Sequence, residues 1–326
     1  MSEVVAGIDL GGTSIKIAIA DRLGHILDSE SIPTYAHRGP DDVLARMSDQ
    51  VETMLARLND TSLAGLGVGV PGLVDTQSGV IGFLPNLPTQ WRGVPARERL
   101  SQRLGCPVRL LNDVRTATLG ELTCGHGKHA PHLTLVFFSI GTGIGGGVAI
   151  DGKLRLGPLG AAGELGHQTI LAEGPLCGCG NRGCLETLAS GSALVAEGIR
   201  LMTCGMAPRL QKYVDGDANR VTPKVMAAVA NEDATVHDAI IRSANYLGIA
   251  AANVVNVLHP DLIVLGGGVA EIGELLIDTV AKVVRQRVGM FPTDGVRIEK
   301  SLLGEQAGVY GAVALALKAK ETDQFV

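Results

Sequence analysis

The sequence predicts an α/β protein built as two related lobes. Three observations carry this. At 326 residues the chain exceeds one average domain, and its 46% apolar content can fill two cores. Stretches with the two-residue period of strands alternate with stretches of helical period. The order strand, glycine turn, strand occurs twice, near residue 11 and near residue 144, which predicts two lobes facing one cleft.

VVAGIDL, SIKIAIA and HILDSES, punctuated by Gly-Gly-Thr and Arg-Leu-Gly, predict three antiparallel strands in the first thirty residues. The period then changes. From Pro40 to Leu58, residues Leu44, Met47, Val51, Met54, Leu55 and Leu58 keep helical spacing, with Pro40 in the first turn and Asp41 and Asp42 at the positive helix end. A strand LAGLGVGVPG, a Gly- and Pro-rich loop to Trp91, a helix near Pro95 to Leu104 and the strand PVRLL complete the first lobe. LTLVFFSIGTGIGGGVAIDGKLRL restarts the same grammar and adds a hairpin at Asp151-Gly152. Further on, His237 to Leu258 carries one apolar stripe stopped by Pro260, then come the strand DLIVLGGG and a helix to about Val288. The closing helix VYGAVALALKA is apolar enough to dock, and its expected place is back on the first lobe. The expected division is 1–117 for a smaller lobe, joined by about 304–326, and 118–303 for a larger one.

A net charge of -5 and the lack of a long basic run argue against nucleic acid and anionic lipid as partners. The opening MSEVVAGIDLGG has no leader character, and Gly, Pro or charge interrupts every apolar run, so the expectation is a cytoplasmic protein with no membrane partner.

Candidate chemistry gathers at strand ends. DLGGTSIK sets Asp9 before Gly11, Gly12 and Thr13, with the cation Lys16 beyond; bare amides, a hydroxyl and a cation suit phosphate, although a plain hairpin turn reads the same way in isolation. GTGIGGG repeats the device at Gly141, Thr142 and Gly143, and Gly266, Gly267 and Gly268 join a strand to a helix whose amino terminus could face a ligand. Three such turns point to a nucleotide. Asn112-Asp113 lies where a strand gives way to a helix, and the carboxylate suits either a helix cap or a general base. His167, Cys177, Cys179 and Cys184 offer one nitrogen and three thiolates, a closed tetrahedral set for structural Zn²⁺, better suited to the spacing than a disulfide. Glu164 and Glu186 bracket this cluster and suit sugar hydroxyls, or else are solvated loop charges. His126, His129 and His132 read as a polar connecting loop rather than a second metal site.

DLGGT, GVGVPGLVD, LLND, GTGIGGG, the G-x-x-G-E-x-G-H stretch ending at His167 and C-x-C-G-x-x-G-C-x-E from Cys177 to Glu186 together resemble the ROK (repressor, open reading frame, kinase) family over almost the whole chain. The resemblance implies a two-lobed actin-like, sugar-kinase ATPase fold with the zinc-binding loop in the larger lobe. It further implies ATP and Mg²⁺ as cofactors, a hexose as substrate and a homodimer. By residue, it implies phosphate and Mg²⁺ contacts from Asp9, Gly11, Gly12 and Thr13, an opposing phosphate loop at Gly141, Thr142 and Gly143, and adenosine near Gly266, Gly267 and Gly268. Asn112, Asp113, Glu164, His167 and Glu186 would hold the sugar, with Asp113 as base and His167 also ligating zinc. PGLVDTQSGVIGFLPNLPTQW resembles the glucokinase branch, which adds Gly72 and Asn86 as sugar contacts; Leu73 stands where N-acetylmannosamine kinases carry Arg. N-acetylmannosamine, N-acetylglucosamine, fructose and allose are the alternative hexoses. A sugar-responsive regulator is the other class, disfavoured because eight residues before Asp9 leave no room for a helix-turn-helix. One departure stands out: the family often reads N-D-A-N-A-A where this chain has NDVRTA, so Arg115 replaces a small polar residue beside the base.

Overall fold

Strand β1 (Ser2–Leu10) is apolar on both faces because two apolar layers cover it. Val4, Ala6, Ile8 and Leu10 join one buried cluster and Val5 another. The computed structural model describes residues 2–84 and 87–319. β2 (Ser14–Asp21) and β3 (Ile26–Pro33) follow as antiparallel neighbours, and β3, at the sheet edge, alternates between half-buried and exposed residues. Helix α1 (Pro40–Arg57) lays Met47, Val51 and Met54 on the face that carries Ile8 and Ile17. β4 (Thr61–Val70) runs parallel to β1; a short hairpin of β5 (Leu73–Val74) and β6 (Ile81–Phe83), then α2 (Ala96–Leu104), lead to β7 (Val108–Asn112), parallel to β4, and to α3 (Asp113–Thr123). The sheet order is β3-β2-β1-β4-β7.

The second sheet repeats that topology. β8 (Leu135–Ile140), β9 (Ile144–Ile150) and β10 (Lys153–Leu154) supply the meander, and β11 (Leu262–Gly266) and β12 (Arg297–Lys300) the two parallel strands, in the order β10-β9-β8-β11-β12. Between β10 and β11 lie α4 (Leu185–Ala189), α5 (Gly191–Thr203), α6 (Pro208–Tyr213), α7 (Pro223–Val229) and α8 (Ala234–Leu258); α9 (Glu274–Arg287) joins β11 to β12. Leu194, Leu201, Leu210, Met226 and Ile240 form a helical core of their own. Two α/β halves of one topology are the fold class the repeated glycine turn predicts.

α10 (Ala307–Leu317) packs on β1, β4 and α3 through small residues. A Cβ on Gly67 would lie 2.0 Å from the Ala312 carbonyl oxygen, and one on Gly311 would lie 1.7 Å from the Thr116 carbonyl oxygen, so only glycine permits this approach. The chain forms two compact units, Met1–His132 with Val148–Gly163 and Glu305–Val326, and Leu133–Gly147 with Glu164–Gly304. α3 stays whole in the first unit, across the boundary drawn at residue 117 from the sequence. Among the described residues no helix is long and apolar enough to cross a membrane.

Candidate functional site

In the first unit the β1–β2 turn is closed by Gly11 N–H donating to the Ser14 carbonyl at 2.9 Å, with Gly12 and Thr13 exposed. A side chain on Gly11 would come within 2.8 Å of that carbonyl. Thr34 clasps the turn, its hydroxyl donating to the Gly11 carbonyl at 2.7 Å and its N–H to the Thr13 carbonyl at 2.9 Å. Asp9, at the end of β1, lies against Gly308 in the first turn of α10, where a Cβ would meet Asp9 Oδ2 at 2.4 Å. Burial pushes the Asp9 carboxyl up to about 6, and the positive charge of Lys16 opposes the rise. The Lys16 ammonium donates to the Glu305 carbonyl at 2.7 Å, so the expected phosphate cation is fastened to the foot of α10.

At the β7–α3 junction the cap falls on Asn112 rather than on the carboxylate. Asn112 Oδ1 accepts from the N–H groups of Val114 at 3.0 Å and Arg115 at 3.2 Å. Its Nδ2 donates to the Gly72 carbonyl at 3.1 Å and to Asp113 Oδ1 at 2.9 Å, which brings the expected Gly72 beside the pair. Gly72 has φ +146° and lies so close to Phe83 that a Cβ would come within 2.1 Å of its carbonyl oxygen. Asp113 is pushed up to about 7, first by burial and then by the charge of Asp9; the Val114 N–H, Arg115 and the Asn112 amide pull against this. A carboxyl tuned near neutrality is suited to taking a proton at physiological pH. Asn86 lies outside the described residues.

The second unit carries the other candidates. In the β8–β9 turn Gly141 N–H donates to the Gly143 carbonyl at 2.9 Å, and Thr142 is exposed. Glu186, in the first turn of α4, lies on this turn. Its Oε2 accepts from Ile144 N–H at 2.9 Å and would lie 2.2 Å from a Cβ on Gly143. At the end of β11, Gly267 adopts φ +81° against Ile140, and Gly267 and Gly268 expose their backbone. The structure corrects the expected α-helix start there: Gly268–Ile272 is a 3₁₀ turn, and α9 begins only at Glu274 because Gly273, at φ +81°, breaks the helical path.

His167, Cys177, Cys179 and Cys184 present ligand atoms all within 4.8 Å of one another. Cys179 Sγ lies 3.7 Å from Cys184 Sγ, and Cys177 Sγ 3.7 Å from His167 Nδ1. A zinc tetrahedron with bonds of about 2.3 Å has edges of about 3.8 Å, so the set fits zinc; a disulfide needs its sulfurs at about 2.0 Å. Gly180 and Gly183, at φ +92° and +64°, turn the chain between the cysteines. Burial pushes the Cys184 thiol up to about 12, aided by the two neighbouring thiols, while hydrogen bonding, led by the Asn181 N–H, holds Cys179 below the ordinary thiol range. So crowded a group of thiols needs a cation to be held as thiolates. His167 Nε2 lies 3.8 Å from Glu164 Oε2, and Glu186 Oε1 lies 4.0 Å from Cys177 Sγ, so both expected carboxylates border the cluster. His132 pairs instead with Asp151 at 2.7 Å, and no second cluster of metal-ligating residues occurs among the described residues.

Sequence reasoning missed Gly308, which makes room for Asp9, and singled out Arg115 beside the base without finding that its guanidinium is buried and bonds Asn112.

The sequence model of the ROK family matches residues 5–319. The chain is 34% identical over 316 residues to a glucokinase of Halalkalibacterium halodurans, covering 94% of this chain and 92% of that protein. It is 32% identical over 317 residues to a xylose repressor of Caldicellulosiruptor bescii, covering 96% of this chain and 78% of the repressor. Among solved structures it is similar to a ROK family glucokinase from Streptomyces griseus in complex with glucose and AMPPNP. That likeness has a TM-score of 0.80 at 30% identity and covers 96% of this chain and 99% of the other.

Proposed function

We propose, from the premise that this chain belongs to the ROK family, that it is a cytoplasmic, homodimeric, ATP-dependent hexose kinase that prefers glucose and forms glucose 6-phosphate. The observation that carries the reading is Asp113, a carboxyl at about 7 whose Oδ1 is held by two hydrogen bonds. When bound, MgATP supplies the phosphoryl group to be transferred. Asp113 takes the proton of the sugar's primary hydroxyl as that hydroxyl's oxygen bonds to the γ-phosphorus and the bond from the γ-phosphorus to ADP breaks, ADP leaving with the electron pair. Asn112, Glu164, His167 and Glu186 read the remaining hydroxyls, with Gly72 and Asn86 as further contacts. A site of matched donors and acceptors rejects a sugar lacking the hydroxyl it expects.

The bare amides of Gly11 and Gly12, the Thr13 hydroxyl, and the turn Gly141, Thr142 and Gly143 receive phosphate oxygens; Asp9 and Lys16 serve the metal-phosphate end; Gly266, Gly267 and Gly268 lie by adenosine. Zinc at His167, Cys177, Cys179 and Cys184 stiffens the loop that bears Glu164 and leads into Glu186.

The test is ADP release from ATP with glucose, mannose, N-acetylglucosamine, N-acetylmannosamine, fructose and allose in turn. A higher kcat/KM for any other sugar refutes glucose and leaves the kinase class standing. The likeness to a xylose repressor favours a second reading, a sugar-sensing regulator, which predicts sugar binding with no sugar-dependent ADP release.

A further inference from the structure

Arg115 is 2% exposed, the largest side chain among the most deeply buried of the described residues. A guanidinium is tolerated there only if its N–H groups find acceptors. Its Nη1 donates to Asn112 Oδ1 at 2.9 Å, its Nε to the Ala162 carbonyl at 3.1 Å and its Nη2 to the Ala161 carbonyl at 3.1 Å. The planar fork therefore spans two separate pieces of chain, the cap of α3 that carries the Asn112–Asp113 pair and the segment Gly157–Gly163.

That segment is a loop built around three glycines. Gly157, Gly160 and Gly163 take φ of +71°, +68° and +94°, and the segment lies outside regular structure. Its backbone bonds, Gly160 N–H to Gly157 at 3.2 Å and Ala162 N–H to Leu156 at 2.8 Å, stay within the local chain. Arg115 adds two bonds to α3, forty-six and forty-seven residues away in sequence. Two residues beyond Ala162 comes Glu164, one of the proposed sugar contacts.

We propose that Arg115 is a positioning residue that yokes the Asn112–Asp113 pair to the Ala161–Ala162 segment, so that the base and the chain leading into Glu164 keep one fixed spacing. The role deepens the kinase reading and rests on it. Lysine cannot replace the fork, because one ammonium at the end of a flexible stem does not reach three acceptors in a plane.

Two readouts test it in Arg115→Met and Arg115→Lys, the second retaining the charge should the first fail to fold. Amide hydrogen exchange over residues 157–163 is expected to speed up by at least about tenfold in both, whether or not the protein is a kinase. Glucose-dependent kcat per folded chain is expected to fall by at least about tenfold, with KM for ATP unchanged, because misplacement in the transition state is felt in turnover. Unchanged exchange overturns the yoke. Faster exchange with wild-type kcat overturns the positioning role and leaves a packing role. Wild-type kcat in Arg115→Lys shows that charge suffices and overturns the yoke as stated. A wild-type protein that releases no ADP with any sugar refutes the kinase reading instead, while the exchange result still decides whether Arg115 holds the segment.

Discussion

Replacing Asp113 with Asn should silence the enzyme and at the same time strengthen its fold. Burial and the charge of Asp9 raise this carboxyl from its ordinary 3.8 to about 7. Each pH unit of such a shift is worth about 1.4 kcal/mol, so the ionised side chain weakens the folded state by up to about 4 kcal/mol. The sign follows from proton counting. Between pH 3.8 and about 7 the folded chain keeps a proton that the unfolded chain has released, so this group's contribution to stability falls as pH rises through that window and is flat above it. Asn carries no charge at any pH, and its amide oxygen can still accept from Val114 N–H and Asn112 Nδ2. The stability gain of Asp113→Asn should therefore be near zero below about pH 4 and reach on the order of 2–4 kcal/mol above pH 8. Urea unfolding of ligand-free protein at pH 4, 6 and 8 measures it, with sugar binding and turnover measured on the same preparations. A gain independent of pH, or a loss at pH 8, refutes the electrostatic account of this site. Turnover above about a tenth of wild type refutes the base itself, since losing a general base costs on the order of a hundredfold or more.

Because Asp113 acts deprotonated, kcat/KM for glucose should rise with pH through about 7 and then level off; a profile flat from pH 5.5 to 8.5 contradicts the assignment. Metal analysis should find one zinc per chain, and Cys184→Ser should lose both metal and activity; full activity of that variant after chelation removes the structural-metal reading. Gly67→Ala forces a methyl to 2.0 Å from the Ala312 carbonyl oxygen, so it should destabilise the protein by about 1–3 kcal/mol or more by denaturant titration; a neutral effect would mean that α10 does not pack as described.

Much of the first sheet was legible, because α1 buries one face at helical spacing and β1 and β2 are short apolar runs, buried on both faces and bounded by turn residues. The repeat of the glycine turn foretold the shared topology of the two sheets, since a meander returning on itself needs that turn in the same place twice. The run from Leu185 to Val229 was not resolved into elements. It folds as the short helices α4, α6 and α7, too brief to show a period, and the longer α5; α5, α6 and α7 form their core with α8. In the candidate site, ligand spacing sufficed for the zinc cluster, because its four donors sit within one stretch of chain. The cap was not readable in this way. Asn112 and Asp113 are neighbours of almost equal capping propensity, and only the bonds at the helix start show that Asn112 caps the Val114 and Arg115 amides while Asp113, in the first turn, shares that of Val114.

The nearly neutral carboxyls depend on a feature far along the chain. Asp9 ends β1, yet the space it occupies exists because position 308, in the first turn of α10, has no side chain. The helix comes that close through glycine contacts on both partners, Gly67 against Ala312 and Gly311 against Thr116 of α3, the helix that Asp113 begins. The packing that excludes water from the α10 face of the sheet is thus the packing that buries Asp9, and the charge of Asp9 in turn raises Asp113. Any change that loosens α10 should let both carboxyls relax toward the ordinary range. The acid limb of the Gly67→Ala rate profile would then move to lower pH even where turnover survives, whereas an acid limb unmoved in a variant with a loosened α10 would disconnect the packing from the chemistry.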